Sequence, residues 1–473
     1  MAYNEVTSEI VAQLEKVAPG RVFLGEDINP DYSKDEMPIY GTKLPSAVVE
    51  ALTTEEVSGV MKICYANNIP VTTRGAGTGV VGGAVAMYGG VVLCTARMNK
   101  IIGFDENQFC VVTQPGVLIK DLKEACLEKG FFYPPDPGQK LGTIGGNVST
   151  NAGGMRAVKY GTTKDYVRSL TVVMADGEIV RIGNNVAKTS MGYNFTQLLA
   201  GAEGTLAIIT ELKLKIILAP KFDVTVLAPF QNLDTALEAV PGLHKNFRPT
   251  AIEFFEKPML LMAEKYVGKD VFAKEVEGET VDAYLLLIFD GDSMDELDSN
   301  VERVAEFLLE YGALDVMVAD TPASKKEIWD VRGVFLDAIF ETHELFDEND
   351  VVVPIDKIAE FVRFFAAEAE KYDFDLVHLG HAGDGNLHIF GTSNTMEREE
   401  FIRQIDLWMV AMYDKAKEMG GDLSGEHGVG YGKIKYFEDF VEPRVIHLHR
   451  ELKKIFDPKL ILNPGKIVSG VVG

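Results

Sequence analysis

Apolar and polar positions follow two alternating rhythms along this chain. Over residues 5–17 apolar side chains recur every three to four positions, which predicts an amphipathic helix. Residues 26–42 interrupt the pattern with polar, turn-forming residues, among them Pro30 and Pro38. A strand–helix alternation follows, with strands over 47–52, 70–74, 90–95 and 110–114 and helices over 54–67 and 118–129. Strands return at 168–174 and 179–182 around the turn Ala175-Asp176-Gly177, a hairpin signal, and again at 206–217.

The rhythm changes at Pro220. Strands over 223–228, 283–289 and 376–379 then alternate with long charged helices over 293–311, 356–371 and 397–419, which reads as a second α+β domain. The final segment holds another glycine loop, a helix near 443–455 and the tail NPGKI. The expected boundaries are 1–220, 221–424 and 425–473.

Three glycine-rich stretches stand beside strands. The first, VTTRGAGTGVVGG, spans 71–83; glycines there let several N–H groups face one concavity, which suits a pyrophosphate. It is not a phosphate loop of the GK[ST] type, and it lacks the acidic residue of a dinucleotide-binding βαβ unit. The second, PPDPGQKLGTIGGNVSTNAGGMRAVKYG, begins at 134, and its first part, 134–154, is expected as one long functional loop. The third is GAEGTLAIIT, 201–210. Three such loops in one α/β unit suit a large flat ligand lying against the backbone.

Charge narrows the partners. The formal net charge of −25 disfavours nucleic acid and anionic lipid surfaces. No apolar run approaches the ~20 residues of a membrane span. Cys64, Cys94, Cys110 and Cys126 form no CxxC pair and read as reduced core residues of a cytoplasmic protein. The N-terminus reads as an acidic helix, not a secretory signal.

A second chemistry lies downstream. HLGHAGDGNLH, 378–388, places the turn-forming GDGN between His381 and His388, and a turn there brings the two imidazoles together. SGEHGVG, 424–430, adds Glu426 and His427, whose neighbouring side chains diverge if the loop is extended. Two imidazoles and a carboxylate make the donor set of an open Zn²⁺, Mn²⁺ or Fe²⁺ site.

The segments RGAGTG, PPDPG, TIGGNVSTNAGG and GAEGTLAIIT resemble the FAD-binding domain of the vanillyl-alcohol-oxidase and p-cresol-methylhydroxylase type, through residues 40–220. The resemblance implies an α+β fold: an FAD-binding domain of two α+β subdomains, a second α+β substrate domain with an antiparallel sheet, and a C-terminal segment returning to the first. It implies that Arg74, Gly75, Ala76, Gly77, Thr78 and Gly79 hold the pyrophosphate. Pro135, Asp136, Gly142, Thr143, Gly146 and Asn147 would line the isoalloxazine, with Ala152 and Gly153 nearby. Gly204 and Ile209 would approach FAD from the other subdomain. Covalent members carry histidine where this chain has Thr78, so non-covalent FAD is expected.

HxGDGNLH, SGEHG and the tail LNPGKI are similar to the glycolate oxidase and D-lactate dehydrogenase group of FAD-linked 2-hydroxy acid enzymes. That similarity implies His381, His388 and Glu426 as metal ligands, His427 as catalytic base, Asn463 near the flavin and Arg332 for the substrate carboxylate. A metal lowers the hydroxyl pKa, and a histidine near neutrality accepts the proton. Leu336, Glu348 and Phe390 stand where relatives with dicarboxylic substrates need polar groups, so lactate is expected first and glycolate second. No second redox centre is visible, and direct NAD use is not expected. Electrons would pass to an electron-transfer flavoprotein, with bifurcation to NAD in some relatives, or to quinone or oxygen. A non-catalytic FAD-binding subunit would lack the His381/His388/Glu426/His427 set.

Overall fold

The structure, a computed structural model, describes residues 3–472. The chain divides into two compact units, Met1–Ala152 with Thr162–Ala219 and Glu426–Gly473, and Gly153–Gly161 with Pro220–Gly425.

In the first unit, helix Ser8–Val17 starts where Thr7 accepts from the Ile10 N–H, and it buries Ile10 and Leu14. Strands Ala47–Glu50, Val91–Cys94 and Val71–Arg74 run parallel, and Val22–Phe23 joins antiparallel at the edge. Helix Thr54–Ala66, capped by Thr53, lays Val57, Val60, Met61 and Cys64 into the same core. That core also takes Ile461 and Leu462, and the tail is pinned by Val71 N–H to Ile461 O and Asn463 N–H to Val71 O, both 2.7 Å. A second sheet is antiparallel, ordered Ile101–Asp105, Cys110–Thr113, Ile208–Lys215, Val167–Val173, Ile179–Gly183. Its hairpin closes at the expected turn, with Gly177 at φ 88°. The expected strand 206–217 is split: after Lys215, Ile217–Leu218 leaves to pair with Phe131–Phe132.

The second unit is built on one antiparallel sheet of seven strands. Their order is Met317–Ala319, Phe222–Phe230, Ala283–Gly291, Ala251–Glu256, Asp375–His381, Asn386–Ser393, Leu345–Val352. Helices Lys257–Val267, Pro322–Arg332 and Phe335–Thr342 cover one face over a cluster that includes Phe255, Tyr284, Leu286 and Phe335. The short run Gly153–Gly161 belongs here, with the Lys159 ammonium and the Tyr160 hydroxyl both on the buried Asp290 carboxylate.

Two departures from the sequence reading bear on function. The long loop 134–154 contains helix Ile144–Thr150, capped by Thr143 and ended by Asn151 at φ 52°; two glycines inside it hid its helical character. Strand Leu345–Val352 was not expected, because LFDENDVV carries four consecutive polar residues, all of them buried. Cys64, Cys94, Cys110 and Cys126 are buried free thiols, and burial pushes Cys64 up to about 12. Among the described residues no helix is long and apolar enough to cross a membrane.

Candidate functional site

The first two glycine loops meet in the first unit. A Cβ at Gly75 would overlap the Thr143 hydroxyl, and one at Gly142 would come 3.1 Å from Asn147 Oδ1 and 3.7 Å from Thr78 Oγ1. The Thr143 hydroxyl is fixed as helix cap by the Gly146 N–H at 3.4 Å. Gly75, Thr78, Gly142, Thr143, Gly146 and Asn147 are thus gathered in one place, while the Cα of Gly79 faces open space. Gly77 has φ 80°, and a Cβ there would strike the Arg74 guanidinium. Ala76 lies between these glycines on the exposed side of the loop, and Pro135 and Ala152 are buried.

Two charged residues of the expected cofactor set are turned to internal partners. Arg74 is buried and donates to the carbonyls of Lys34 at 2.8 Å and Asp31 at 3.0 Å, so its guanidinium braces the 31–35 segment. Asp136 receives the ammonium groups of Lys123 and Lys140.

The third loop is tied to the chain's end. Asn463, at φ 42°, accepts from Thr73 N–H at 2.8 Å and donates to Glu203 O at 2.7 Å. A Cβ on Gly204 would sit 3.0 Å from the same amide. Ile209 is buried at the start of strand Ile208–Lys215. Glu203, which the sequence reading passed over, accepts from Val429 N–H at 2.8 Å and Gly430 N–H at 2.7 Å. Burial holds its carboxyl above the ordinary value, against those two N–H groups and the charges of Lys466 and Lys433. Its glycine-flanked setting gave no sequence signal that this carboxylate is internal.

The segment leading from the third loop's anchor carries Glu426 and His427. Their side chains do not diverge: Glu426 Oε1 lies 3.8 Å from His427 Nε2. The segment bends instead of extending, with Gly428 at φ 84° and Gly430 at φ 52°.

The second unit holds the imidazole pair. His381 ends strand Asp375–His381, and His388 lies in Asn386–Ser393, across the hairpin that GDGN closes. His381 pairs with Asn386 and Leu379 with His388, so both histidines share one sheet face. Their ring centroids are 5.1 Å apart. Each Nδ1 faces a buried carboxylate at 2.7 Å, Glu253 for His381 and Glu348 for His388. A carboxylate only accepts, so each Nδ1 carries a proton, and in the neutral imidazole the lone pair is on Nε2. Carboxylate-oriented imidazoles of this kind are the usual support of metal-ligating histidines.

Arg332 joins the same network. Its Nη2 and Nε donate to Glu253 Oε2 at 2.6 and 3.2 Å, inside the fold and not on an exposed helix face. Burial works to raise the Glu253 carboxyl, but His381 and Arg332 outweigh it and hold it below its ordinary value. Glu253 was missed by sequence; its one signal is an acid flanked by apolar residues in AIEFF. The three positions compared with relatives of dicarboxylic substrates are engaged within the second unit. Glu348 orients His388, and Phe390 and Leu336 pack into the apolar cluster beneath the helices.

The chain is similar to known proteins along nearly its whole length. Residues 45–183 match the family described as FAD binding domain, and residues 219–467 match FAD linked oxidases, C-terminal domain. A D-lactate dehydrogenase of Anaerostipes hadrus is 50% identical over 466 residues, covering 98% of each chain. Glycolate oxidase subunit GlcD of Bacillus subtilis (strain 168) is 36% identical over 471 residues, covering 98% of this chain and 97% of that one. The crystal structure of p-cresol methylhydroxylase with substrate bound superposes with a TM-score of 0.78 at 18% identity, covering 98% of both chains. The chain is therefore an enzyme, and it belongs to the family of FAD-linked oxidases.

Proposed function

We propose that this enzyme oxidises D-lactate to pyruvate. The observation that carries the reading is the pair His381 and His388, each held at Nδ1 by a buried carboxylate in a chain half identical to a D-lactate dehydrogenase. Glycolate is the second substrate in order, favoured by the glycolate oxidase relative.

The gathered loops fit FAD, since glycine at 75, 77 and 142 lets their backbones close on one another, while Gly79 presents bare backbone to open space. Main-chain N–H groups of Gly75, Ala76, Gly77, Thr78 and Gly79 would take the pyrophosphate, because the Arg74 side chain is already used. Pro135, Asp136, Gly142, Thr143, Gly146, Asn147, Ala152, Gly153, Gly204, Ile209 and Asn463 would frame the remainder, several of them by holding loop backbone in position. Thr78 cannot form the histidyl link of covalent relatives, so the cofactor is non-covalent. FAD supplies the acceptor for the hydride leaving the substrate carbon.

The donor set also fits a divalent metal. His381 and His388 would bind through Nε2, with Glu426 as the third ligand. Glu426 directly follows Gly425, whose N–H bonds to Asp350 in the strand beside His388, which supports the reading. A metal at that position would acidify and orient the substrate hydroxyl. His427 accepts the hydroxyl proton, while Arg332 meets the carboxylate with the guanidinium edge that Glu253 leaves unused. An electron-transfer flavoprotein is the proposed carrier, and bifurcation to NAD would require it. The four buried thiols accord with a reducing cytoplasm.

Anaerobic titration of the yellow holoprotein with D-lactate tests the reading. Bleaching of the flavin band, lost after chelation and in His427→Ala, is expected. A yellow protein that D-lactate leaves oxidised would overturn the substrate assignment, and glycolate would be tried next.

A further inference from the structure

Glu203 holds a backbone conformation that suits glycine. Its φ of 48° lies in the left-handed region, between Gly201 at 84° and Gly204 at 66°. A residue with a side chain is strained there, and such strain gathers at functional positions. The side chain is buried and spends both oxygens on one segment. Oε1 accepts from the Val429 N–H at 2.8 Å and Oε2 from the Gly430 N–H at 2.7 Å. Two donors ask for two acceptor oxygens, which the ionised form supplies. Lys466, whose charge favours that form, gives its own ammonium protons to the carbonyls of Gly82, Gly83 and Val85.

The contact is close as well as bonded. Gly428 has φ 84°, and a Cβ there would lie 2.7 Å from Glu203 Oε1. The chain therefore bends around this carboxylate immediately after His427. Farther on, the N–H groups of Tyr431 and Gly432 bond to Val81 O at 2.9 and 3.0 Å, and the Ile467 N–H bonds to Gly430 O at 2.8 Å. Those bonds hold the chain beyond the bend, whereas Glu203 holds the bend itself. The main chain of Glu203 is tied to the glycine loops. Its N–H bonds to Ser149 O at 2.7 Å, in helix Ile144–Thr150, and its carbonyl accepts from Asn463 Nδ2 at 2.7 Å. One residue thus has its backbone fixed among the loops and its carboxylate fixed on the segment that carries His427.

We infer that Glu203 is a positioning residue, whose carboxylate sets the place of the His427 imidazole relative to the loops that would hold FAD. The inference rests on the reading of His427 as proton acceptor. Glu203 acts through the bend at Gly428, Val429 and Gly430, and not by touching the substrate.

The test uses flavin-loaded enzyme in four forms: wild type, Glu203→Gln, His427→Ala and the double variant. The amide keeps the shape of the side chain but sets an NH₂ group against one of the two peptide N–H groups. The main-chain bonds of residue 203 stay, so FAD content is expected to be near normal. The rate of anaerobic flavin reduction at saturating D-lactate should fall about 10²-fold, the scale of a misplacement of about 1 Å. Reduction by dithionite, which needs no base, should be unchanged. In the His427→Ala background, Glu203→Gln should cost no further rate, because the group it positions is gone. Should Glu203→Gln fail to fold, Gly428→Ala takes its place in the cycle, since its methyl would displace the same carboxylate. A Glu203→Gln enzyme that melts lower yet reduces its flavin at the wild-type rate would overturn the inference and leave Glu203 a structural brace. So would a loss of rate that persists in full on top of His427→Ala, because Glu203 would then act by another route. If His427→Ala alone matches wild type, it is the proton-acceptor reading that fails, and the positioning role falls with it.

Discussion

Glu348 Oε1 lies 2.7 Å from His388 Nδ1, and this bond decides which imidazole nitrogen faces away from the strand pair. Both residues are buried on adjacent antiparallel strands, so neither can trade the contact for water. Glu348→Gln keeps the shape but removes the anion that fixes the tautomer. Metal affinity should fall about 10- to 100-fold while FAD content stays normal. Metal analysis beside flavin absorbance would separate the two; unchanged metal affinity would remove Glu348 from a supporting role.

Arg332 and Glu253 form a buried pair, and removing one partner strands the other. Arg332→Met should destabilise the protein by about 3–5 kcal/mol, with much of the loss recovered in the double variant with Glu253→Gln. Thermal melts of the four proteins in the cycle measure the coupling. The same single variant should raise KM for the hydroxy acid, and the double variant should not repair that.

His427→Ala should slow anaerobic flavin reduction by D-lactate about 10²- to 10⁴-fold without loss of FAD. Stopped-flow absorbance reads this directly. A wild-type rate in the variant would exclude His427 as the proton acceptor.

Lys466 gives a pH signature in stability. Burial pushes it down to about 7, against the attractions of Asp35 and Glu203, while the unfolded chain keeps the proton to about 10.4. Between those values the unfolded state binds more protons, so stability rises with pH; below about 7 the full burial cost is present. Lys466→Met lacks this titration. The melting temperature of wild type relative to the variant should therefore climb from about pH 7 to pH 10, and a flat difference would count against the depressed value.

Much of this was legible in the sequence because turns and glycine loops announce themselves locally. The hairpin between His381 and His388 follows from GDGN, and the gathering of two glycine loops follows from their composition. What stayed hidden was set by tertiary burial. Strand Leu345–Val352 reads as polar loop, since Asp347, Glu348, Asn349 and Asp350 become tolerable only through partners such as His388 and Asn386. Arg332 was legible as a candidate for the substrate carboxylate, but its buried partner Glu253 was not. Arg74 looked like a phosphate donor until the carbonyls of 31 and 34 claimed it.

Ile461 and Leu462 are core residues of the same cluster as Val71 and Leu93, although nearly the whole chain separates them. On the ribosome, the second unit has all its strands outside the exit tunnel before the first unit receives these closing residues. The cofactor-binding half, begun first, is finished last, and until the tail arrives its parallel sheet waits with an apolar edge uncovered.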